Sequence, residues 1–237
     1  MNYYIASCVF TTQYPELSFR IQEYIAKRDD VQIVRCCVPQ YKLQEFSGKV
    51  PESLRSRWEA LPDSAAFGGG DTVYSLCHNC SAIIDEWRPG AKASSLWELI
   101  LQDPDFAYPD YKGKEIFVQD CWRARDRREE QDAVRELLRR MNFQALEQQE
   151  NYEKTAFCGI SLLRPAPPRN LKLAPKRFVD GAQGLFLPHT EAEQKAMMEA
   201  YGSRFGDREV AAYCHYCVEG LLLGGVRAKH LAELLFV

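Results

Sequence analysis

The sequence lacks the features that would place the chain in a membrane or on a nucleic acid. No stretch of its 237 residues approaches the roughly 18 consecutive apolar residues that a membrane-spanning helix needs. The first residues have neither the basic start nor the long apolar run of a signal peptide. The net charge is only -3, so no excess of positive charge points to nucleic acid or to an anionic membrane surface. We therefore expect a soluble, cytoplasmic protein that does not bind nucleic acid.

Nucleotide-binding motifs are also absent, and histidine is scarce. The chain contains neither G-x-G-x-x-G nor a P-loop sequence, so we expect any nucleotide or flavin to lie on a partner protein. There are four histidines. His189 and His230 are predicted to be an ordinary loop residue and an ordinary helix residue, whereas His78 and His215 each lie inside a C-x-x-C sequence.

Cysteine, in contrast, is abundant and ordered along the chain. In a reducing compartment, C-x-x-C pairs bind metal or do redox chemistry more often than they form structural disulfides, and an odd total of nine weakens a disulfide framework further. The cysteines form two series of similar order. The first series is Cys8, Cys36, Cys37, Cys77 and Cys80, and the second is Cys121, Cys158, Cys214 and Cys217.

Most of these cysteines follow a segment that is rich in β-forming residues. The predicted strands are 3–7, 31–34, 72–76, 115–119 and 209–213. Helical periodicity predicts helices between them, among them an amphipathic helix with Val134, Leu137, Leu138 and Met141 on one face and a helix with a capping box that starts at Thr190. The segment 39–50 is predicted to be a loop. Strands that alternate with helices indicate βαβ units and mainly parallel sheets, whose ligands lie beyond the carboxyl ends of the strands. The fold class predicted is α/β, with the cysteines gathered at the carboxyl ends of the strands.

The cysteine order also predicts an internal repeat. The segment 95–100 after the first C-x-x-C matches 230–235 after the second, and 104–113 has the composition of a linker. We therefore predict two pseudo-repeated halves, 1–113 and 114–237. The second half is longer because it carries a proline-rich, basic insertion, 164–177, which is predicted to be an extended loop.

Thiolates in this arrangement suit a metal cofactor. Soft sulfur ligands hold iron–sulfur clusters and zinc, and adjacent cysteines such as Cys36 and Cys37 are unusual outside a cofactor site. The first series has five thiols, one more than tetrahedral zinc can use. An iron–sulfur cluster in at least one half is favoured. Zinc sites and purely structural or regulatory thiols are the alternatives.

The repeated order Cys, Cys-Cys, C-x-x-C resembles the cysteine-rich CCG domains of heterodisulfide reductases and related iron–sulfur oxidoreductases. This resemblance covers nearly the whole chain. It implies an α/β protein in which a non-cubane [4Fe-4S] cluster cleaves a small-molecule disulfide or heterodisulfide to two thiols. It also implies flavin- or ferredoxin-type electron-donor subunits as partners.

Carried over by position, the resemblance assigns different roles to the two series. The first series would hold the non-cubane cluster, with Cys36, Cys37 and His78 as the catalytic residues, although Val38 replaces the glycine of the motif. In the second series Phe157 replaces one cysteine and Gly159 is retained. The four remaining thiols would hold a [4Fe-4S] cubane or zinc. His78 and His215 either tune the cofactor and deliver protons or are partly exposed turn residues.

Two groups of cations offer possible docking sites. The first is an arginine run that can attract an anionic substrate or partner, or can simply be solvated; it consists of Arg123, Arg125, Arg127 and Arg128. The second lies in the insertion and can dock an acidic electron-transfer protein; it consists of Lys172, Lys176 and Arg177. The leading hypothesis is a disulfide reductase subunit. The alternatives are a non-catalytic electron-transfer subunit of a dehydrogenase complex and a zinc-stabilised interaction protein.

Overall fold

The chain contains two parallel β-sheets of the same topology. The computed structural model describes residues 1–237 and divides into two compact units, Met1–Leu96 with Phe236 and Trp97–Leu235 with Val237. Each unit contains one sheet of four parallel strands, so the α/β fold with two pseudo-repeated halves is confirmed. Residue 113, at which we placed the end of the first half, lies between the two sheets along the chain.

The first sheet has the strand order β2-β1-β3-β4. Its strands are β1 (Asn2–Ile5), β2 (Val31–Val34), β3 (Thr72–Ser75) and β4 (Lys92–Ser95). The helices of this part of the chain are α1 (Cys8–Gln13), α2 (Pro15–Ile25), α3 (Leu43–Lys49), α4 (Glu52–Ala60), α5 (His78–Trp87) and α6 (Leu96–Leu101). In the central pair, Ile5 of β1 lies opposite Ser75 of β3. Both strands therefore end at the same edge of the sheet.

The second sheet repeats this arrangement, with the order β6-β5-β7-β8. Its strands are β5 (Glu115–Gln119), β6 (Gln144–Leu146), β7 (Glu209–Ala212) and β8 (Arg227–His230). Its helices are α7 (Arg128–Arg140), α8 (Pro168–Leu173), α9 (Pro175–Phe178), α10 (Glu191–Gly202), α11 (His215–Leu223) and α12 (Leu231–Leu235). Short 3-10 turns cover Trp122–Ala124, Tyr152–Lys154, Gly159–Leu163, Asp180–Ala182 and Ser203–Phe205.

The short sequence match between the halves marks equivalent structure. Ser95 ends β4 where α6 begins, and His230 ends β8 where α12 begins. His230 is therefore not the helix residue that we predicted. Its backbone N–H donates to Glu233 at 2.6 Å and its Nδ1 accepts from Ala232 at 3.2 Å, so it caps the start of α12. These contacts satisfy backbone N–H groups that a helix start leaves without partners.

Apolar side chains on the strands and on one face of each long helix form the core. The central strand β7 is buried along its whole length, as expected for a parallel strand covered on both faces. In α7 the residues Val134, Leu137 and Leu138 are buried, while Arg139 and Arg140 pair with an acidic side chain of the same helix. The amphipathic helix predicted here is confirmed, and so is the capping box, since the Glu193 N–H donates to Thr190 Oγ1 at 3.3 Å.

Several short elements differ from the prediction. The insertion 164–177 is not an extended loop, because Pro168 and Pro175 each lie at the first position of a short helix. A proline there loses no hydrogen bond and its fixed φ suits a helix start. The predicted loop 39–50 contains α3, and three outer strands, β4, β6 and β8, were not predicted. None of the helices combines the length and the apolar character needed to cross a membrane.

Candidate metal centre

Three segments of the second half bring four cysteines to one edge of the sheet. Residues Gln119 of β5 and Ala212 of β7 lie opposite each other, so Cys121 and Cys214, each two residues further on, emerge side by side. Cys217 lies one helical turn later, in α11. Cys158 comes from the loop between β6 and α8, immediately before a 3-10 turn. The parallel register of the sheet therefore positions three of the four thiols, and a loop supplies the fourth.

These four cysteines, hereafter the four-thiol set, form a compact group of sulfur ligands. The Sγ atoms of Cys121, Cys158, Cys214 and Cys217 all lie within 4.8 Å of one another, and all four residues are buried. The Sγ atoms of Cys121 and Cys158 lie 3.2 Å apart. None of the nine cysteines of the chain forms a disulfide bond. Four buried thiols that converge in this way can hold a metal ion or an iron–sulfur cluster.

Two glycines let the Cys158 loop approach α11 closely. Gly159 has φ of 55°, and a Cβ atom there would lie 1.9 Å from the carbonyl oxygen of Tyr216. A Cβ on Gly220 would lie 2.5 Å from the Cα of Gly159. No side chain fits into either contact. The glycine retained after Cys158 is therefore needed both for its backbone conformation and for the approach that places Cys158 beside Cys217.

A buried carboxylate connects the two strand ends that carry cysteines. Asp120 is fully buried and accepts a hydrogen bond from the Tyr213 hydroxyl at 2.7 Å. Arg135 of α7 donates two hydrogen bonds to the same carboxylate, at 2.7 and 2.8 Å, and the Tyr152 N–H donates a fourth, at 2.7 Å. Since Asp120 precedes Cys121 and Tyr213 precedes Cys214, this network fixes the two ligand-bearing segments to each other.

Arg123 lies among the thiols rather than on the surface. It is 2% exposed, and its guanidinium donates a short hydrogen bond to Cys158 Sγ and another to Ser161 Oγ at 2.6 Å. Its Cζ lies 5.5, 5.4 and 5.2 Å from the ring centres of Phe178, Phe186 and Tyr216. The solvated position that we considered for this residue is therefore wrong, because aromatic side chains from α9 and its surroundings cover it.

The other arginines of this run have acidic partners or are partly solvated. Arg127 pairs with Glu130 at 3.1 Å, and the exposed Arg128 pairs with Asp132 at 3.0 Å. Arg125 is half-buried over the Trp122 ring, with 5.4 Å between its Cζ and the ring centre. Of the insertion cations, Lys172 and Lys176 are exposed, whereas Arg177 forms an ion pair with Asp126.

Burial and mutual contact change the acidity of the thiols. Burial raises the pKa of Cys121, and its contacts with Cys158 and Cys214 raise it further. Burial, followed by contacts with the other three members of the set, also raises the pKa of Cys217. These two thiols therefore hold their protons more tightly than ordinary cysteines when no metal ion is bound. A metal ion must displace those protons to bind.

The two histidines of the C-x-x-C sequences are buried. His78 and His215 are 3% and 2% exposed and occupy the first positions of α5 and α11, so neither is a partly exposed turn residue. Both ring nitrogens of His215 lack a hydrogen-bonding partner within the chain. A buried imidazole normally finds such a partner. Its position between Cys214 and Cys217 along the chain suits a bound group that brings its own acceptors, such as inorganic sulfide.

Phe157, at the position where the second series lacks a cysteine, has a packing role. Its ring stacks on that of Tyr201 with 4.0 Å between the centres and 14° between the planes. The two rings line a cavity of about 420 Å³ whose wall also includes Cys158 and Gly159. The aromatic side chain thus replaces a thiol by an apolar wall beside the four-thiol set.

The cysteines of the first half also follow strand ends, and the structure brings them together in smaller groups. Cys8 and Cys36 have their Sγ atoms 4.0 Å apart. Contacts with the Cys37 and Cys77 thiols, together with burial, raise the pKa of Cys80 well above its ordinary value. Cys8 lies three residues beyond the end of β1, one more than the corresponding Cys121, because Ser7 with φ of 61° turns the chain before α1. All five residues are buried.

Sequence reasoning missed the residues that surround the thiols. Asp120, Tyr213 and Ser161 were not singled out, and Arg123 was considered only as one of a run of cations. The available signal for Asp120 and Tyr213 was their position directly before a cysteine at the end of a predicted strand. Polar residues at such positions face the same edge as the ligands.

The fold and these four thiols define an α/β protein with a buried cysteine cluster that can bind metal. Comparison of the chain with protein-family models, with curated proteins and with solved structures found no match. The resemblance to the CCG domains of heterodisulfide reductases therefore remains a prediction.

Proposed function

We propose that the chain is an iron–sulfur redox protein, a disulfide reductase subunit of the heterodisulfide reductase type. The observation that carries this proposal is the convergence of four buried thiols, none in a disulfide, at the edge of a parallel sheet. A second group of five buried cysteines occupies the equivalent edge of the first sheet. Clustered and buried thiols without disulfide bonds, in both halves of one chain, suit iron–sulfur cofactors, which take cysteine thiolates as ligands.

Under this proposal the halves have different tasks. The non-cubane cluster would be held by Cys8, Cys36, Cys37, Cys77 and Cys80, and it would supply the electrons for cleavage of a small-molecule disulfide. Cleavage of a disulfide to two thiols needs two electrons and two protons. The electrons come from a flavin- or ferredoxin-type partner. His78, buried at the start of α5 beside Cys77, is the residue placed to hold a proton near the departing sulfurs.

For the second half, the sulfur separations favour a further candidate, a single tetrahedral ion such as zinc. Metal–sulfur bonds of about 2.3 Å put tetrahedral sulfurs about 3.8 Å apart. The separations in the four-thiol set, from 3.2 Å for one pair up to a limit of 4.8 Å, bracket this value. A four-iron cluster would need the same sulfurs to move outward. The His215 nitrogens that lack partners within the chain favour the cluster instead, because inorganic sulfide would accept from them.

Metal and sulfide analysis of anaerobically purified full-length protein tests the proposal. We expect brown protein that contains roughly four irons with acid-labile sulfide if one half holds a cluster, and roughly eight if both do. Cys36→Ser should remove the signal of the first half, and Cys217→Ser that of the second. If the protein contains four irons and one zinc, and if only Cys217→Ser loses the zinc, the zinc belongs to the four-thiol set. Colourless protein with zinc alone would reject the redox function.

A second experiment separates the reductase from an electron-transfer subunit. Dithionite-reduced protein is mixed with excess disulfide and an artificial electron donor, and the thiols released are counted. The proposal predicts thiol release that Cys37→Ser abolishes while the cofactor of the second half stays in place. Wild-type protein that carries its clusters but releases no thiol from any of a panel of small disulfides would favour the electron-transfer function.

A further inference from the structure

Arg123 carries a positive charge in a position that water does not reach. A guanidinium stays protonated at all ordinary pH values, and a charge buried without an anionic partner is strongly unfavourable. Arg123 is 2% exposed, and no aspartate or glutamate forms an ion pair with it. The neighbouring Arg127 and Arg128 have such partners. The anion that balances Arg123 must therefore come from another kind of group.

The groups that face Arg123 identify that anion. They are the Cys158 sulfur, the Ser161 hydroxyl oxygen and three aromatic rings. Among these, only a thiolate supplies a full negative charge, because the hydroxyl is neutral and a ring offers only its quadrupole. The four-thiol set, once it binds metal as thiolates, is thus the group that can balance the charge of Arg123.

When a metal is bound, the guanidinium can balance part of the negative charge of the site. A divalent ion with four thiolates leaves about two negative charges in a buried site. From this juxtaposition, we propose that Arg123 is a positioning residue that holds Cys158 in the four-thiol set and compensates part of the charge of its metal–thiolate centre. The inference rests on the proposed metal-binding function of this set.

Cys158 is the thiol that most needs such a residue. Cys121, Cys214 and Cys217 lie at strand ends or in α11, where the sheet and the helix fix them. Cys158 lies in a loop before a short 3-10 turn. Arg123 connects it to Ser161 of the same turn and to the segment that carries Cys121. The guanidinium therefore holds Cys158, the ligand in the loop, close to Cys121, the ligand at the strand end.

A metal-competition experiment tests this role in the full-length chain. Metal-free protein is titrated with zinc against a chromophoric chelator of known affinity, and the binding that Cys217→Ser removes is assigned to the four-thiol set. Arg123→Gln and Arg123→Met should weaken that binding by about 10- to 100-fold, the usual effect of removing a residue that supports a metal ligand. Arg123→Lys, which keeps the charge, should restore most of it. Arg125→Gln removes a cation of the same run that has no thiol contact and should leave the affinity unchanged.

The lysine and methionine variants decide between charge and packing. Methionine keeps much of the apolar contact with the three rings but carries no charge. Wild-type affinity in Arg123→Met, or equal losses in Arg123→Met and Arg123→Lys, would overturn the inference. If the neutral variants do not fold by circular dichroism, Arg123→Lys alone decides: near wild-type affinity supports the inference, and a loss as large as that in Cys217→Ser rejects it. If the wild-type chain and Cys217→Ser bind zinc equally, the result would instead reject the proposed metal site itself.

Discussion

Position 159 requires glycine for two separate reasons, its positive φ and the close approach of the Tyr216 carbonyl. Gly206 has nearly the same φ, 56° against 55°, but a Cβ there would meet nothing within 4 Å. Gly159→Ala should lower the free energy of unfolding by about 2–5 kcal/mol, from backbone strain plus the clash with Tyr216. Gly206→Ala, whose ψ of -136° also lies outside the common conformations, should lower it by about 1–3 kcal/mol, from backbone strain alone. Urea denaturation measures both values.

The same pair of variants connects this contact to the metal centre. Gly159→Ala must push the Cys158 loop away from α11, so it should also lose metal from the four-thiol set. Gly206→Ala should retain the wild-type metal content in elemental analysis. Equal stabilities and equal metal contents in the two variants would show that the close approach has no part in positioning Cys158.

Proton competition at the thiols predicts a pH dependence of metal binding. Because the pKa values of Cys121 and Cys217 are raised, both thiols still hold protons at pH values where ordinary cysteines begin to ionise. Metal binding must release these protons, so the apparent affinity should fall as the pH decreases and should continue to rise above about pH 9. Calorimetric zinc titrations in buffers of different ionisation enthalpy count the protons released. An affinity that does not change between about pH 6 and pH 9 would contradict raised thiol pKa values.

At the scale of elements, the hydrogen bonds of Asp120 hold the segments after β5 and β7 together, beyond the last backbone pair of the two strands. Asp120→Asn removes a buried charge that faces Arg135 and weakens the hydrogen bond from Tyr213. We expect a loss of about 3–5 kcal/mol in the free energy of unfolding, typical of a broken buried ion pair. Asp132→Asn breaks the exposed pair with Arg128 within α7 and should cost less than about 1 kcal/mol. Similar losses in the two variants, measured by urea denaturation, would mean that the network adds no more than a surface pair.

At the scale of the whole molecule, a bound metal would join distant parts of the second unit. Its four ligands lie between residues 121 and 217, so the bound ion closes long loops of chain. Chelation should increase hydrogen exchange of β5 and β7 amides by about tenfold or more. Cys217→Ser should show this fast exchange without chelator, whereas Cys80→Ser, in the first unit, should exchange in β5 and β7 like wild type. Exchange that chelation leaves unchanged would reject a stabilising metal in this unit.

The sequence predicted the features that depend on local pattern. Strands 72–76 and 115–119, the amphipathic α7 and the repeat between Ser95 and His230 all leave a periodic or compositional signal. The parallel sheets then explain why Cys121 and Cys214 meet. The outer strands β4, β6 and β8 lacked such a signal because their sequences, KASS, QAL and RAKH, contain none of the β-branched, phenylalanine, tyrosine or tryptophan residues that favour strands.

Features that depend on contacts between distant residues could not be predicted in this way. The burial of Arg123 results from Phe178 and Phe186, which are more than fifty residues away in the chain and approach it only in the folded unit. The pairing of Asp120 with Tyr213 depends on the register of two strands, which the pattern alone does not fix. The clash that requires glycine at position 159 exists only once α11 is packed against the loop.

The stacking of Phe157 on Tyr201 makes the difference between the two cysteine series hard to reverse. A cysteine at position 157 would restore the order seen in the first half, but it would remove a ring that is 7% exposed and leave Tyr201 without its stacking partner. Such large-to-small changes in a packed site cost about 2–5 kcal/mol. A sequence that acquires this cysteine must therefore offset this loss of stability elsewhere, for example by refilling the space beside Tyr201. The packing of this aromatic pair thus opposes a return from four thiols to five in the second half.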